Sequence, residues 1–200
     1  MNIILASNSP RRKEILTQVG ISFTVQPSNK EEIITKTIPA EVVMELATMK
    51  AEEVASKVEE DAIIVGADTV VAVDGKILGK PKDEEDAKRM VETLAGKSHS
   101  VYTGVTIVRK EKSKGTESGE TKDGFEVKTV SFFEETKVWV YPMSKEEIHA
   151  YVATKEPMDK AGAYGIQGDF AKYIQGIEGD YYNVVGFPIG RFYQELKQVL

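Results

Sequence analysis

Apolar positions along this chain fall into two kinds of block. Short continuous runs rich in β-branched residues predict strands, and runs with helical spacing predict helices. The first strand is "IILA" (3–6), and it leads into Ser7-Asn8-Ser9. Ser9 and Pro10 then read as N-cap and first helical residue, with Ile15, Leu16 and Val19 as the apolar face of the helix. After Pro39, residues 40–58 predict a longer helix whose stripe is Val43, Leu46, Ala47, Val54 and Val58. "AIIVGADTVVAV" (62–73) has no polar alternation and predicts a central strand, turned back by a hairpin over 73–78 through Asp74-Gly75. A helix over 83–95 opens on an acidic turn and ends at Gly96, and strands follow near 99–109 and 125–141. The polar "KEKSKGTESGETKDG" between them (110–124) predicts a hairpin tip. Ser144 and Glu147 form a capping box that opens a helix over 144–154. Residues 161–188 read as glycine-punctuated strand and loop, and a last helix from Pro188 is expected to bury Ile189, Phe192, Tyr193 and Leu196.

The resulting class is α/β, one domain over residues 1–200 built on a mixed sheet flanked by helices. With 200 residues, 41% of them hydrophobic, the chain suffices for one well-cored domain and is short for two. A net charge of −6 gives no basic field for nucleic acid or anionic membrane, so any anion site must be a local cluster. The absence of cysteine excludes disulfides, thiolate metal sites and a thiol nucleophile. The N-terminus has no basic leader and its apolar run, Ile3 to Ala6, is too short for a signal peptide or a span, so a soluble, cytoplasmic protein is expected.

Against that background, several charges are out of place. Arg11 and Arg12 occupy the first turn of a helix, where free N–H groups favour negative charge. Two readings stand: solvated arginines tolerated at a few tenths of a kcal/mol each, roughly the size of a dipole effect, or an anion cradle. In the cradle, the Ser-Asn-Ser loop and helix start would wrap a phosphate that the arginines clamp. Asp68 lies within an apolar strand, where a carboxylate must be paired, bonded to amides, or held by a metal. Lys50 falls on the apolar stripe of its helix, which directs its charge to the core side unless it snorkels outward. Lys80 in "LGKP" follows the hairpin and can return near Asp68, while Glu31 and Glu32 precede the second helix. Other motifs fail. "AGKS" (95–98) has Val91 where a phosphate-binding loop needs glycine, and His99 and His149, the only histidines, have no metal spacing.

Taken together, "LASNSPRRKEIL", "VGADTVV", "LGKP", "EPMDKAGAYGIQG" and "GDYYNVVGFPI" resemble the Maf family of nucleoside triphosphate pyrophosphatases, in the family's order and across nearly the whole chain. The resemblance implies hydrolysis of a nucleoside triphosphate to monophosphate and pyrophosphate with Mg²⁺ or Mn²⁺. It also implies an elongated, bent mixed sheet of the inosine triphosphatase-like kind, with a cleft between two lobes, and a homodimer. By position, Asp68 matches the family's proton acceptor, and Ser7, Arg12, Glu31, Lys50 and Lys80 match positions that handle phosphates and metal. Glu31 and Asp68 would hold the ion, with Glu32 as the alternative to Glu31. Arg11, Thr69 and Gln167 match the branch acting on dTTP and UTP. A Gln amide can donate to a pyrimidine carbonyl and accept from the ring N3–H, whereas a Glu can only accept. The competing readings are a purine-directed pyrophosphatase of the 7-methyl-GTP or ITP type and a non-catalytic, nucleotide-binding regulator of cell division, since the family's name is tied to septum formation. Two departures from the family are a longer 110–124 segment and Phe170, where a second glycine is often found.

Overall fold

The computed structural model describes residues 1–113, 121–122 and 124–200. Among these residues eight strands form one mixed sheet: β1 (Asn2–Leu5), β2 (Thr24–Val25), β3 (Ala62–Val73), β4 (Lys76–Leu78), β5 (Ser98–Lys112), β6 (Thr121–Lys122), β7 (Phe125–Val140) and β8 (Ile174–Glu178). Their order is β2-β1-β3-β5-β7-β6, with β4 paired to β3 and β8 to β7. β1 runs parallel to both β2 and β3, whereas β4 returns antiparallel on β3, pairing Val71 with Leu78. Among the described residues the α-helices are α1 (Pro10–Gln18), α2 (Pro39–Ala55), α3 (Glu84–Leu94), α4 (Lys145–Ala153), α5 (Tyr181–Val185) and α6 (Ile189–Val199). Among the described residues, no helix is long and apolar enough to cross a membrane.

The chain divides into two compact units, and β3, β5 and β7 each contribute to both. The first unit comprises Met1–Asp68, Gly104–Phe133 and Phe187–Leu200. Its core joins Ile4 and Ala6 of the N-terminal segment to Ala51 and Val54 of α2, Ile64 of β3 and Val108 of β5. Helix α2 lies backbone to backbone on two strands. A Cβ on Gly66 of β3 would stand 2.2 Å from the Ala47 carbonyl, and one on Gly104 of β5 2.4 Å from the Val43 carbonyl. Both glycines are therefore needed for close approach rather than for a special φ. Helix α6 closes this unit, with Phe187 and Phe192 ring centroids 4.9 Å apart and Arg109 donating to the Val199 carbonyl at 2.5 Å.

The second unit comprises Thr69–Thr103 and Glu134–Gly186. Val71, Val91, Leu94, Val138, Ile148 and Phe170 are among its buried core. Helix α3 is capped as its acidic opening predicts, Asp83 accepting from the Asp86 N–H, and the Ser144–Glu147 capping box of α4 is complete. Residues 161–188 are more helical than expected, containing short 3₁₀ turns and the five-residue α5 besides β8. Phe170 is fully buried against Tyr151 and Tyr164, so the departure from glycine fills the core.

Two expected core residues are outside. Val19 is 45% exposed, because α1 ends at Gln18 and the chain turns away, and Tyr193 is 50% exposed on the outer side of α6. Val58 lies beyond the end of α2 at Ala55, although it still packs against the core of the first unit. The residues expected to form the hairpin tip over 110–124 lie outside the described residues at 114–120 and 123.

Candidate active site

Helix α1 starts beside the end of β1, and its second arginine is turned inward. Arg12 is buried, and its Nη1 donates to Ser7 Oγ and to the Ala67 carbonyl, each at 2.9 Å. Ser7 Oγ also accepts the Ser9 N–H at 3.2 Å, so one hydroxyl organises the loop, while the Ser9 side chain makes no cap bond. Burial lowers the Arg12 guanidinium from its usual range and the Arg11 charge acts the same way, whereas the charges of Asp68 and Glu32 oppose them. A guanidinium nevertheless stays protonated, so a fixed cation is held next to β3. Arg11, by contrast, is only half-buried.

The close packing of α2 on Gly66 sets Lys50 opposite Asp68. The Lys50 Nζ donates to Asp68 Oδ1 at 2.5 Å and lies 2.7 Å from Glu32 Oε1. The Lys50 and Asp68 side chains are each 15% exposed and that of Glu32 is 50% exposed, so the pair is partly shielded and the second carboxylate faces solvent. The segment carrying Glu32 is itself fastened to α2, since the Thr35 N–H donates to Glu45 Oε2 at 3.0 Å. Hydrogen bonds from Thr35 hold the Glu45 carboxyl below its usual range. It is Glu32 that this segment presents to Lys50, while Glu31 is exposed.

Ser7, Arg11, Arg12, Glu31, Glu32, Lys50 and Asp68 thus belong to the first unit, and Thr69, Lys80 and Gln167 to the second. The Thr69 hydroxyl is 3.0 Å from that of Thr103, which donates to the Asn183 carbonyl at 3.1 Å. Lys80 is exposed directly after Gly79, whose carbonyl accepts the Gly162 N–H at 2.9 Å. Gln167 is exposed between Gly165 and Gly168.

Asn183 escaped sequence reasoning. It is fully buried, and its Nδ2 donates to the Val101 carbonyl at 3.0 Å and to Thr136 Oγ1 at 2.9 Å. The available signal was an amide amid Tyr182, Val184 and Val185, a polar group that an apolar helix face does not need.

As donors, Asp68 and Glu32 are hard carboxylates meeting at one ammonium group. Among the described residues no group of three or more His, Cys, Asp or Glu side chains could hold a metal ion. Two carboxylates suit a cation that takes its remaining ligands from water and substrate phosphates, the habit of Mg²⁺.

Comparison with known proteins adds three kinds of finding. The family model described as "Maf-like protein" matches residues 2–199. A protein named dTTP/UTP pyrophosphatase from Lachnoclostridium phytofermentans is 53% identical over 196 residues, covering 98% of this chain and 94% of the relative. Proteins of the same name from Agathobacter rectalis and Bacillus cytotoxicus are 53% and 50% identical, each over 98% of this chain and over 97% and 94% of their own lengths. Superposition on the solved nucleoside-triphosphatase / dITP/XTP pyrophosphatase of Mycobacterium abscessus gives a TM-score of 0.43 at 12% identity, covering 100% of this chain and 99% of that one.

Proposed function

Because this chain belongs to the Maf-like proteins, we propose that it hydrolyses dTTP and UTP to the monophosphate and pyrophosphate. The observation that carries the reading is the Lys50–Asp68 contact at 2.5 Å in the same unit as buried Arg12. A carboxylate inside a strand, faced by an ammonium group, is a built arrangement rather than a solvated charge. The shared name of relatives about half identical supports the choice of nucleotide.

In this reading Asp68 orients the attacking water and accepts its proton. The water oxygen bonds to phosphorus as the anhydride P–O bond between the α- and β-phosphates opens, and the electron pair stays on the bridging oxygen of the departing pyrophosphate or nucleoside monophosphate. Arg12, Lys50 and Lys80 neutralise charge on the phosphate oxygens, and Ser7 holds Arg12 in place through its 2.9 Å bond. Mg²⁺ or Mn²⁺ would be held by Asp68 with Glu31 or Glu32, and would supply charge neutralisation at the phosphates. Lys50 then has two tasks: to occupy Asp68 and Glu32 before substrate arrives, and to turn to phosphate afterwards. Gln167 reads the pyrimidine edge, and Arg11 and Thr69 shape its surroundings.

The test is a hydrolysis panel with Mg²⁺ or Mn²⁺ over dTTP, UTP, CTP, 5-methyl-UTP, GTP, 7-methyl-GTP and ITP, with pyrophosphate and orthophosphate resolved. Pyrophosphate released chiefly from dTTP and UTP is the expected result. Turnover of purine nucleotides alone would keep the chemistry and overturn the roles of Arg11, Thr69 and Gln167. No turnover of any nucleotide would overturn the enzymatic reading and favour a nucleotide-binding regulator.

A further inference from the structure

The segment Gly165–Asp169, which carries Gln167, is braced by the carboxylate of Glu156. Glu156 Oε2 accepts the Asp169 N–H at 2.9 Å, and Tyr151 Oη donates to Glu156 Oε1 at 3.4 Å. The carboxylate lies so close to the backbone that a Cβ on Gly168 would stand 2.2 Å from Glu156 Oε1. On the other side of Gln167, a Cβ on Gly165 would stand 2.7 Å from Lys160 Cε. The Lys160 Nζ donates to the Glu156 carbonyl at 2.6 Å and to Asp159 Oδ1 at 2.8 Å, which ties the two supports together. The two glycines flanking Gln167 therefore admit the side chains that hold the loop.

The ends of the loop are equally fixed. Tyr164 and Phe170 are buried with ring centroids 4.8 Å apart, and Tyr151 packs on Phe170 at 5.0 Å. Burial, assisted by the Glu156 charge, pushes the Tyr151 hydroxyl well above its usual range, so it remains a donor to that carboxylate. Between these anchors Gln167 is left exposed, on a backbone that has little freedom to move.

We infer that Glu156 is a positioning residue for base selection: by bonding the Asp169 N–H and filling the space over Gly168, it sets the direction in which Gln167 presents its amide. The inference rests on Gln167 reading the base, as proposed above. An amide that both donates and accepts discriminates only if its plane is fixed, since a freely turning group satisfies any partner. Glu156 meets no nucleotide in this role and acts through the loop.

The experiment measures kcat and KM for dTTP, UTP and CTP in Glu156→Ala, Glu156→Gln, Gly168→Ala and Gln167→Glu, and in the double variant Glu156→Ala/Gln167→Glu. Glu156→Ala should lower the preference for dTTP over CTP in kcat/KM about tenfold, the equivalent of one charge-assisted hydrogen bond. Glu156→Gln keeps an acceptor for the Asp169 N–H and should retain the preference. Gly168→Ala, which expels the carboxylate without removing it, should lose the preference and carries the test if Glu156→Ala does not fold. The double variant should lose no more selectivity than Gln167→Glu alone. Amide exchange at Asp169 should accelerate in Glu156→Ala. Selectivity retained in Glu156→Ala and Gly168→Ala while Gln167→Glu changes it would overturn the inference, as would an equal loss of turnover for all three nucleotides. An unchanged profile in Gln167→Glu would instead overturn the base-reading role, and this inference with it.

Discussion

Gly66→Ala tests whether the packing of α2 on β3 sets the distance between Lys50 and Asp68. The added Cβ would lie 2.2 Å from the Ala47 carbonyl oxygen and 2.8 Å from the Ala51 nitrogen, where ordinary contact begins at 3.4 Å. Both obstacles are backbone, so no rotamer change relieves them, and α2 must recede by about 1 Å from a close-packed strand. The cost belongs at the upper end of overpacking, about 3 kcal/mol, which for a domain of this size lowers Tm by roughly 6–12 °C. Lys50 lies on α2 between Ala47 and Ala51, so its 2.5 Å contact with Asp68 lengthens in step. A misplacement of that size costs turnover about 10²-fold. Thermal unfolding and steady-state pyrophosphate release measure the two effects in one preparation. Gly190→Ala is the control, since nothing lies within 4 Å of its Cβ position on α6. There the loss of glycine's unfolded-state freedom should raise stability by about 1 kcal/mol, with turnover unchanged. A Gly66→Ala variant with wild-type Tm and turnover would refute the reasoning.

Asp68→Asn is nearly isosteric and should leave Tm close to wild type while cutting turnover about 10²–10⁴-fold; near-normal turnover would remove Asp68 from its role. Arg12→Lys keeps the charge but loses the planar fork, so it should raise KM for dTTP about tenfold, and an unchanged KM would show that Arg12 only braces Ser7 and Ala67. His99 is buried, its Nε2 lies 2.7 Å from the Tyr164 hydroxyl, and its Nδ1 has no partner among the described residues. Burial lowers its pKa from 6.5 to about 4, so the unfolded chain takes up a proton that the fold refuses. The neutral histidine's contribution is therefore complete above pH 6.5 and is lost as pH falls toward 4, by about 3 kcal/mol in all. Denaturant titrations across that window should show a shallower acid loss in His99→Gln than in the wild type, and equal slopes would discard the assignment.

Long periodic segments were readable because one physical rule decided each of them. Strand β3 matches the expected 62–73 at both ends, since Asp61 and Asp74 bound an uninterrupted apolar run. Helices α3 and α4 begin at their expected caps because Asp83 and Ser144 make local bonds three residues ahead. What failed was decided by distant partners. Val19 has helical spacing from Ile15, yet α1 ends one residue earlier and leaves it exposed. Tyr193 follows Phe192 on α6, but Phe192 alone turns toward Phe187. Several glycines that suggested strand and loop over 161–188, Gly162, Gly165 and Gly168 among them, admit close packing; at Gly162 a Cβ would meet Val71 at 2.7 Å. Single-sequence periodicity carries no information about such a neighbour.

The site shows the same division between local and distant causes. That Lys50 turns inward was legible from its place on an apolar stripe, and that Asp68 needs a partner was legible from its strand. Their meeting at 2.5 Å depends on Gly66 admitting α2, which no local rule supplies. The two arginines also separate on this point. Both stand in the first turn of α1; Arg12 is buried and reaches a carbonyl of β3, 55 residues away in sequence, whereas Arg11 is half-buried. The buried Arg12 guanidinium donates to a hydroxyl and a neutral carbonyl. Its balancing anions are Asp68 and Glu32, whose own charges are shared with Lys50. Two fixed cations against two carboxylates leave no surplus negative charge at this cluster, so an incoming triphosphate meets a field that does not repel it. Removing Lys50 therefore does more than delete a phosphate contact: it frees Asp68 and Glu32 to face the phosphates directly, and the loss of binding in Lys50→Met should exceed that in a Lys50→Met/Glu32→Gln double variant. Equal losses in the two would show that Glu32 exerts no field on the substrate.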